Sequence, residues 1–362
     1  MKNRLLFGLT LLLAITISSC NKKNVVEIKT LPKFMTWDGE GSFNHNMTDA
    51  EIETYLKRLY DNHIGALFLN ASNDFYKRTG PIAKKVGIQL HAWRPTMIKG
   101  DKEFMEAHKD WYAVSGKNES VIDNPPYVDY YRWLCPLEPG VQEYLMNDYL
   151  ELAKIDGVDG IHFDYIRYCD IYLPPALQPK YNLVQDHEMP EYDFCYCHRC
   201  REAFKAKFGR DPLEIEDPAN DEDWRNWRLE QIVKIVNTIG PEVKKQTGKM
   251  VTAAVFPTPK MSARMVRQDW GKFELDAALP MLYNGFYNED TDWIGECVKE
   301  GLETMEVKKP IYAGVFVGDL KEPEKLRAAI KSALENGASG VVFFNAQDLN
   351  DDLLKILDEF KN

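Results

Sequence analysis

The stretch GVDGIHFDYIRYCD, residues 157–170, places three reactive side chains at the end of an apolar run. Asp164 is followed by Tyr165 and Arg167, and a carboxyl group can transfer a proton or act as a nucleophile. Burying such groups is costly unless they are paired or put to use. We therefore predict a reaction site here, with Asp164 as the nucleophile or the acid/base. The alternative is that Asp164 is a buried partner of Arg167 that only orders the loop.

Two neighbours of Asp164 have predicted supporting roles. Arg167 is expected to be an orienting charge that keeps Asp164 ionised. His162 precedes Asp164 by two residues, so the two side chains share one face of a strand. His162 is therefore a candidate hydrogen-bond support for Asp164 and a candidate substrate contact.

Other apolar runs also end in carboxylates, amides and aromatic rings, in a chain with 12% aromatic residues, 8 Trp and 18 Tyr. This combination suits glycoside hydrolysis, which needs one carboxyl group as acid and a second as nucleophile or base. Trp37 and Trp93 are predicted stacking platforms, although packing in the core explains them equally well. A core position is also the alternative for His91. The predicted substrate-binding residues are Trp37, Asp38, Glu40, Asn70, His91, Trp93, Arg94, His162, Arg167, Tyr283 and Asn345.

The second carboxylate is predicted to be Asp269, in the loop or helix that follows the fifth apolar run. Aspartate often caps helices, so a cap is an equally good interpretation of Asp269. Asp38 and Glu40 compete for the catalytic role, or bind sugar hydroxyls instead. A retaining or inverting mechanism depends on the distance between the two carboxyl groups.

Eight apolar, β-rich runs alternate with helical patterns along the chain. Eight such units predict an α/β fold, a parallel (β/α)8 TIM barrel whose βα loops share one mouth. The alternative, a doubly wound sheet, lacks a glycine-rich phosphate turn after its first strand. The predicted strands are residues 33–37, 65–69, 88–93, 160–163, 250–256, 277–283, 310–316 and 340–344.

Helix boundaries follow from caps and periodicity. Thr48-Asp49-Ala50-Glu51 is a capping-box pattern that opens a helix towards Asn62. Pro81 predicts the start of a short helix that ends near Gly87. Further predicted helices cover residues 138–155, 200–208, 223–245, 323–336 and 348–360.

The loops after the third and fourth strands are too long to be simple connections. They cover about residues 95–137 and 168–224, and long loops at a barrel mouth usually build or cover a site. Residues 169–224 are predicted to form an excursion from the barrel that contains a cysteine cluster.

That cluster packs Cys195, Cys197 and Cys200 into six residues. Three thiolates with His198 or Cys169 as the fourth ligand are compatible with a structural zinc site. Thiols outside the cytoplasm tend to oxidise, so a disulfide or free thiols are the favoured interpretation. We expect no catalytic metal or cofactor.

The first 19 residues have the layout of a secretory signal, with Lys2 and Arg4 before an apolar run. Ile17-Ser18-Ser19-Cys20 resembles a bacterial lipobox, which implies lipidation of Cys20; a signal peptide with a chance cysteine is the alternative. Residues 20–30 are then a tether, and residues 31–362 form one catalytic domain. This predicts a monomer held at the cell envelope by its lipid.

The chain is acidic, with a formal net charge of −11. Removal of residues 1–19 takes away two positive charges, Lys2 and Arg4, and leaves −13. An acidic surface argues against nucleic acid and against broad binding to anionic membranes. The expected partner is a carbohydrate, and the expected membrane contact is the lipid alone.

Four motifs carry a family resemblance: GVDGIHFDYIRY (157–168), WLCPLEPGVQEYL (133–145), RQDW (267–270) and LDAALPMLYN (275–284). In their order along the chain, with residues 133–145 before residues 157–168, they resemble bacterial glycosyl-hydrolase-like family-10 barrels, except that Cys169 replaces the usual proline. HAWRP (91–95) is more distantly similar to the hydrolase domain of lipoproteins that act on poly-N-acetylglucosamine. The resemblance implies hydrolysis of a poly- or oligosaccharide. The alternative is a catalytically silent barrel that binds glycan.

Overall fold

The computed structural model describes residues 30–43 and 46–361. Residues 31–361 lie in a single compact unit built around eight parallel strands. Each predicted apolar run forms one of these strands. The strands are β1 (Phe34–Gly39), β2 (Ile64–Asn70), β3 (Gln89–Pro95), β4 (Gly160–Asp164), β5 (Met250–Val255), β6 (Ala277–Pro280), β7 (Tyr312–Phe316) and β8 (Gly340–Phe344).

The strands pair in the order β6-β5-β4-β3-β2-β1-β8-β7, and every ladder is parallel. Parallel bridges from Ala278 to Ile311 and from Met281 to Gly314 join the two ends of this sheet. The result is the predicted (β/α)8 barrel, in which the carboxyl ends of all strands meet at one mouth.

Ten helices surround or extend the barrel in the part of the chain that the structure describes. The helices are α1 (Asp49–Asp61), α2 (Asn73–Val86), α3 (Lys102–Ala107), α4 (Pro139–Lys154), α5 (His198–Phe208), α6 (Glu222–Thr247), α7 (Pro259–Val266), α8 (Asp292–Thr304), α9 (Pro323–Glu335) and α10 (Asp351–Lys355). None of them is both long and apolar enough to cross a bilayer.

Two helix predictions are wrong in detail. Helix α2 begins at Asn73, not at Pro81, because Ser72 caps it by accepting a hydrogen bond from the Phe75 amide. Pro81 lies inside the helix. The last predicted helix is shorter, because Asn350 caps α10 at Asp351 and a 3-10 turn follows from residue 356. The capping box at Thr48 is confirmed.

The barrel has two packing layers. Inside it, apolar side chains such as Met35, Trp37 and Phe68 fill the space between the strands. Gly314 has to be glycine, because a Cβ atom there would lie 2.8 Å from the Trp37 ring. The second, larger layer packs the outer strand faces against the helices. A rigid barrel of this kind holds its strand ends at fixed positions around the mouth.

The two long loops are structured and touch each other. The loop after β3 contains α3, and the loop after β4 contains α5. An antiparallel bridge joins Ser115 to Phe194, and the Tyr196 amide donates to the Val114 carbonyl at 2.8 Å. The excursion predicted for residues 169–224 is therefore attached to the loop after β3.

Candidate functional site

A cavity of about 550 Å³ opens at the carboxyl ends of the strands. Its wall is rich in tyrosine from three loops: Tyr127 and Tyr131 follow β3, Tyr165 and Tyr181 follow β4, and Tyr283 follows β6. The volume lies in the usual range for small-molecule sites. Aromatic rings around a few polar groups suit a ligand with both C–H-rich faces and hydroxyl groups.

Asp164 is the last residue of β4 and lines this cavity, with 7% of its surface exposed. Its Oδ1 accepts a hydrogen bond from the Tyr165 amide at 2.6 Å, and its Oδ2 accepts one from Trp93 Nε1 at 2.9 Å. Tyr165 has a φ of +47°, a left-handed conformation that is uncommon outside glycine. This turn directs the amide of Tyr165 at the carboxyl group.

Burial raises the pKa of Asp164, and this effect outweighs the two hydrogen bonds and the charge of Arg167, which lower it. The protonated form is thereby favoured relative to an exposed aspartate. The prediction that Arg167 keeps Asp164 ionised needs correction. Arg167 lowers the pKa of Asp164, but it does not dominate, because its ion-pair partner is another residue.

That partner is Asp170, whose Oδ2 lies 3.0 Å from Arg167 Nη1. Both side chains are buried, and the guanidinium carbon lies 4.9 Å from the ring centres of Trp133 and Phe256. Asp170 also lines the cavity. Among the described residues, Asp164 and Asp170 are the two carboxylates of its wall. The sequence contained a signal for this pair, since Asp170 follows Arg167 by three residues.

Asp269, predicted as the second carboxylate, lies elsewhere. Its Oδ2 is 2.8 Å from Lys272 Nζ, and it lines a separate surface depression beside α6. It precedes the 3-10 turn at Trp270, but its side chain makes no capping hydrogen bond there. We correct this assignment, because the ion pair with Lys272 and the position beside α6 separate Asp269 from the mouth cavity.

His162 lies in the barrel interior below Asp164 and is fully buried. Its Nε2 accepts a hydrogen bond from Trp37 Nε1 at 3.0 Å, and its Nδ1 lies 2.8 Å from Thr252 Oγ1. The Trp37 bond fixes the tautomer, because Nε2 must accept and Nδ1 must therefore carry the proton. Burial lowers the pKa of His162 well below its usual value, so the ring is neutral. We predicted that His162 supports Asp164 by a hydrogen bond. Both ring nitrogens of His162 instead pair with Trp37 and Thr252.

His91 also belongs to the interior and not to the mouth. It pairs in register with Gly160, the first residue of β4, and its side chain is fully buried. Its ring packs on Phe68 with centroids 4.8 Å apart, and its Nε2 lies 3.2 Å from Gln89 Oε1. The predicted contact of His91 with substrate is corrected to a core role, because the residue lies four positions before the strand end.

Trp37 combines both interpretations that the sequence left open. It is 1% exposed and belongs to the interior layer, yet one edge lines the cavity. Trp93 is more exposed and lies between the cavity and a second depression. Tyr283 and Phe344 stack with their centroids 5.8 Å apart and complete this aromatic part of the wall.

The second depression adjoins the cavity and shares Asn70, Trp93 and Phe344 with it. It also collects four other predicted residues whose polar groups already have partners in the protein. These residues are Asp38, Glu40, Arg94 and Asn345.

The carboxylates of this depression are occupied by internal hydrogen bonds. Asp38 accepts bonds from the Gly39 amide at 2.8 Å, from Ser42 and from Tyr55. Glu40 accepts the Ser72 amide at 2.7 Å. These bonds make both carboxylates structural supports of the first βα loop.

The two other side chains are held in a similar way. Arg94 donates to the Ala71 carbonyl at 3.1 Å and to Asn73 Oδ1 at 2.8 Å. Asn345 Oδ1 accepts the Gln347 amide at 3.1 Å. Asn70, at the end of β2, faces both spaces and is the predicted amide that lies at the cavity itself.

Comparison with known proteins agrees with this architecture. No protein-family model matches the chain, and no curated protein matches it. Among solved structures, the glycoside hydrolase domain of PgaB (BpsB) from Bordetella bronchiseptica has a TM-score of 0.64 at 12% identity, over 90% of this chain and 96% of that chain. The catalytic domain of β-amylase from Paenibacillus polymyxa has a TM-score of 0.60 at 12% identity, over 92% and 98%.

A third similar structure is Gan42B, a GH42 β-galactosidase from G. stearothermophilus, with a TM-score of 0.63 at 11% identity. This chain is covered over 91% of its length and spans 56% of that longer protein. The protein therefore has the (β/α)8 barrel fold found in several glycoside hydrolases. Membership of family 10 remains a prediction from the four sequence motifs.

Proposed function

We propose that this protein is a glycoside hydrolase that cleaves a poly- or oligosaccharide, with Asp164 as the catalytic acid. The observation that carries the proposal is the position of Asp164. It ends a barrel strand, lines an aromatic cavity, and has a pKa raised by burial. A carboxyl group whose pKa is raised by burial is better suited than an exposed one to protonate a leaving glycosidic oxygen.

Asp170 is the proposed second carboxylate. Its ion pair with Arg167 at 3.0 Å holds the carboxylate at the cavity wall, where it is placed to act as a nucleophile or general base. Arg167 is a positioning residue, since the rings of Trp133, Tyr165 and Phe256 surround its guanidinium group. The sugar rings would stack on the aromatic wall, and Asn70 would bind a hydroxyl group.

The second candidate function is binding of glycan without cleavage. It is favoured by the same ion pair, because Arg167 already engages Asp170 at 3.0 Å. If that pair does not open towards substrate, Asp164 has no second carboxylate to work with. The cavity would then serve recognition alone.

The test is a panel of poly- and oligosaccharides, scored both for newly formed reducing ends and for binding. Wild type should release reducing ends from at least one glycan, and Asp164→Asn should be slower by about 10²–10⁴-fold, the usual contribution of general acid–base catalysis. Asp269→Asn is the matched control and should keep wild-type activity. Binding of a glycan that wild type does not cleave would favour the silent barrel.

The location is a separate proposal. We propose that Cys20 is acylated and anchors the protein at the cell envelope; Cys20 lies outside the residues that the structure describes. The lipobox-like sequence before Cys20 supports this. Cys20→Ala should leave the protein unprocessed or free of membranes. Mass spectrometry that finds a different mature N-terminus without acyl groups would contradict it.

A further inference from the structure

Four buried cysteines from two distant parts of the chain meet beside the mouth. Their Sγ atoms all lie within 4.8 Å of one another, and we call this group the four-cysteine cluster. Its members are Cys135, Cys195, Cys197 and Cys200. The first comes from the loop after β3, and the other three come from the loop after β4 and the first turn of α5.

The distances fit a metal centre better than a disulfide. Cys135 Sγ lies 3.5 Å from both Cys197 Sγ and Cys200 Sγ. A disulfide needs about 2.0 Å between sulfur atoms, and none joins the six cysteines that the structure describes. Four thiolates around Zn²⁺, at about 2.3 Å each, would lie about 3.8 Å apart in a tetrahedron. The observed spacing is close to that value.

The groups around the cluster also fit thiolates. The Val114 amide donates to Cys195 Sγ at 3.5 Å. Tyr168 is 4% exposed, its hydroxyl has no hydrogen-bond partner among the described residues, and Cys200, Cys195 and Cys135 lie near it. N–H and O–H donors around metal-bound sulfur orient the ligands and tune the site. An otherwise unpaired buried hydroxyl thus has a natural acceptor.

The sequence prediction had a different fourth ligand. His198 is exposed, and Cys169 lies with its sulfur 3.9 Å from the Asp170 carbonyl, outside the cluster. Cys135 supplies the fourth thiol from 62 residues before Cys197. This long-range partner reverses the preference for a disulfide or free thiols.

We propose that the four-cysteine cluster binds one structural Zn²⁺ ion. A tetrahedral set of four sulfur ligands, with no open position, is typical of structural and not catalytic zinc. The ion would fix the loop after β3 to the loop after β4, and both loops supply wall residues of the mouth cavity. The ion pair between Arg199 and Glu138 reinforces the same junction.

The first measurement is the metal content of the wild-type chain, purified without chelator. We expect about one zinc ion per chain, and thiols that react with an alkylating agent after denaturation without reductant. After anaerobic removal of zinc, added Co²⁺ should give the charge-transfer and visible bands of a tetrahedral thiolate complex. Disulfides in the cluster, or free thiols that bind neither metal, would overturn the proposal. Iron in place of zinc would overturn the choice of metal.

Two serine variants distinguish the loss of a zinc ligand from the loss of any buried thiol. Cys135→Ser should lose zinc, whereas Cys297→Ser, at a buried cysteine of α8 outside the cluster, should retain it. If Cys135→Ser does not fold, the metal content and cobalt spectrum of wild type decide the matter. Equal zinc in Cys135→Ser and wild type would contradict the assignment.

Discussion

His162 in the barrel interior and Asp164 at the barrel mouth lie two residues apart on β4, and their buried polar groups have different surroundings. His162 has both ring nitrogens engaged by Trp37 and Thr252. Asp164 has two N–H donors at its carboxyl group but also borders a cavity of about 550 Å³. Burial alone therefore does not mark a reactive group. What distinguishes Asp164 as a candidate is the open cavity beside its carboxyl group.

The two carboxylates of the mouth differ in a related way. Asp170 is neutralised by a buried guanidinium group, whereas Asp164 is surrounded by neutral donors, and its pKa is raised by burial. This difference favours Asp164 over Asp170 as the proposed acid. It also makes Asp170 more important for stability than Asp164.

The largest expected effect on stability is at Asp170. Asp170→Leu leaves Arg167 buried without its carboxylate, so unfolding free energy should fall by about 3–5 kcal/mol. Denaturant unfolding measures this. The control is the double variant Arg167→Met with Asp170→Leu, which removes both charges and should recover part of the loss. A single variant as stable as wild type would show that the ion pair is not formed in solution.

A smaller loss is expected at His162. His162→Leu leaves the Trp37 N–H without its acceptor, at a cost of about 1–3 kcal/mol in unfolding free energy. Thr252→Val, which removes only the other partner of the ring, should cost less. The activity of folded His162→Leu should stay within about tenfold of wild type. A variant that is stable but inactive would move His162 from the interior scaffold to the reaction site.

The pH dependence of activity tests whether the hydrogen bond from Trp93 lowers the pKa of Asp164. If Asp164 acts as an acid, activity is present below its pKa and is lost as pH rises through that value. Trp93 Nε1 stabilises the charged carboxylate, so Trp93→Phe should raise the pKa of Asp164 and move the alkaline limb of kcat/KM to higher pH. Trp111→Phe, at a tryptophan stacked on His108, should leave the limb in place. A shift to lower pH in Trp93→Phe would contradict the acid assignment.

The smallest effect is expected at Asp269. Its partner Lys272 is 46% exposed, and ion pairs of this kind contribute about 0–1 kcal/mol. Asp269→Asn should therefore change neither unfolding nor kcat/KM appreciably. Strong loss of kcat/KM with normal stability would restore Asp269 as a catalytic candidate.

The sequence predicted the fold well because eight apolar runs separated by helical patterns leave few alternatives. It also placed Asp164 at a strand end, since the change from apolar to charged residues marks the end of β4. His91 was misplaced because its depth depends on strand register, and it pairs with Gly160 at the start of β4. Pro81 was misread because proline at a helix start is common and Ser72 offered a competing cap.

The rest of the site depends on contacts between distant residues. Tyr127 and Tyr131 reach the cavity through the path of a long loop, and Cys135 meets Cys197 across 62 residues. Neither periodicity nor local spacing contains such information. Asp170 was not predicted as a site residue, although its three-residue spacing from Arg167 is typical of a local ion pair and could have indicated it.

The most direct test of the account compares two leaving groups in Asp164→Asn. An acid is needed to expel a sugar alkoxide, whereas the phenolate of an activated aryl glycoside leaves without protonation. We predict that Asp164→Asn loses about 10²–10⁴-fold in kcat/KM, which reports the step that expels the leaving group, on an oligosaccharide that wild type cleaves. On the activated aryl glycoside of the same sugar, kcat/KM should change little. Equal loss on both substrates would contradict the role of Asp164 as the general acid.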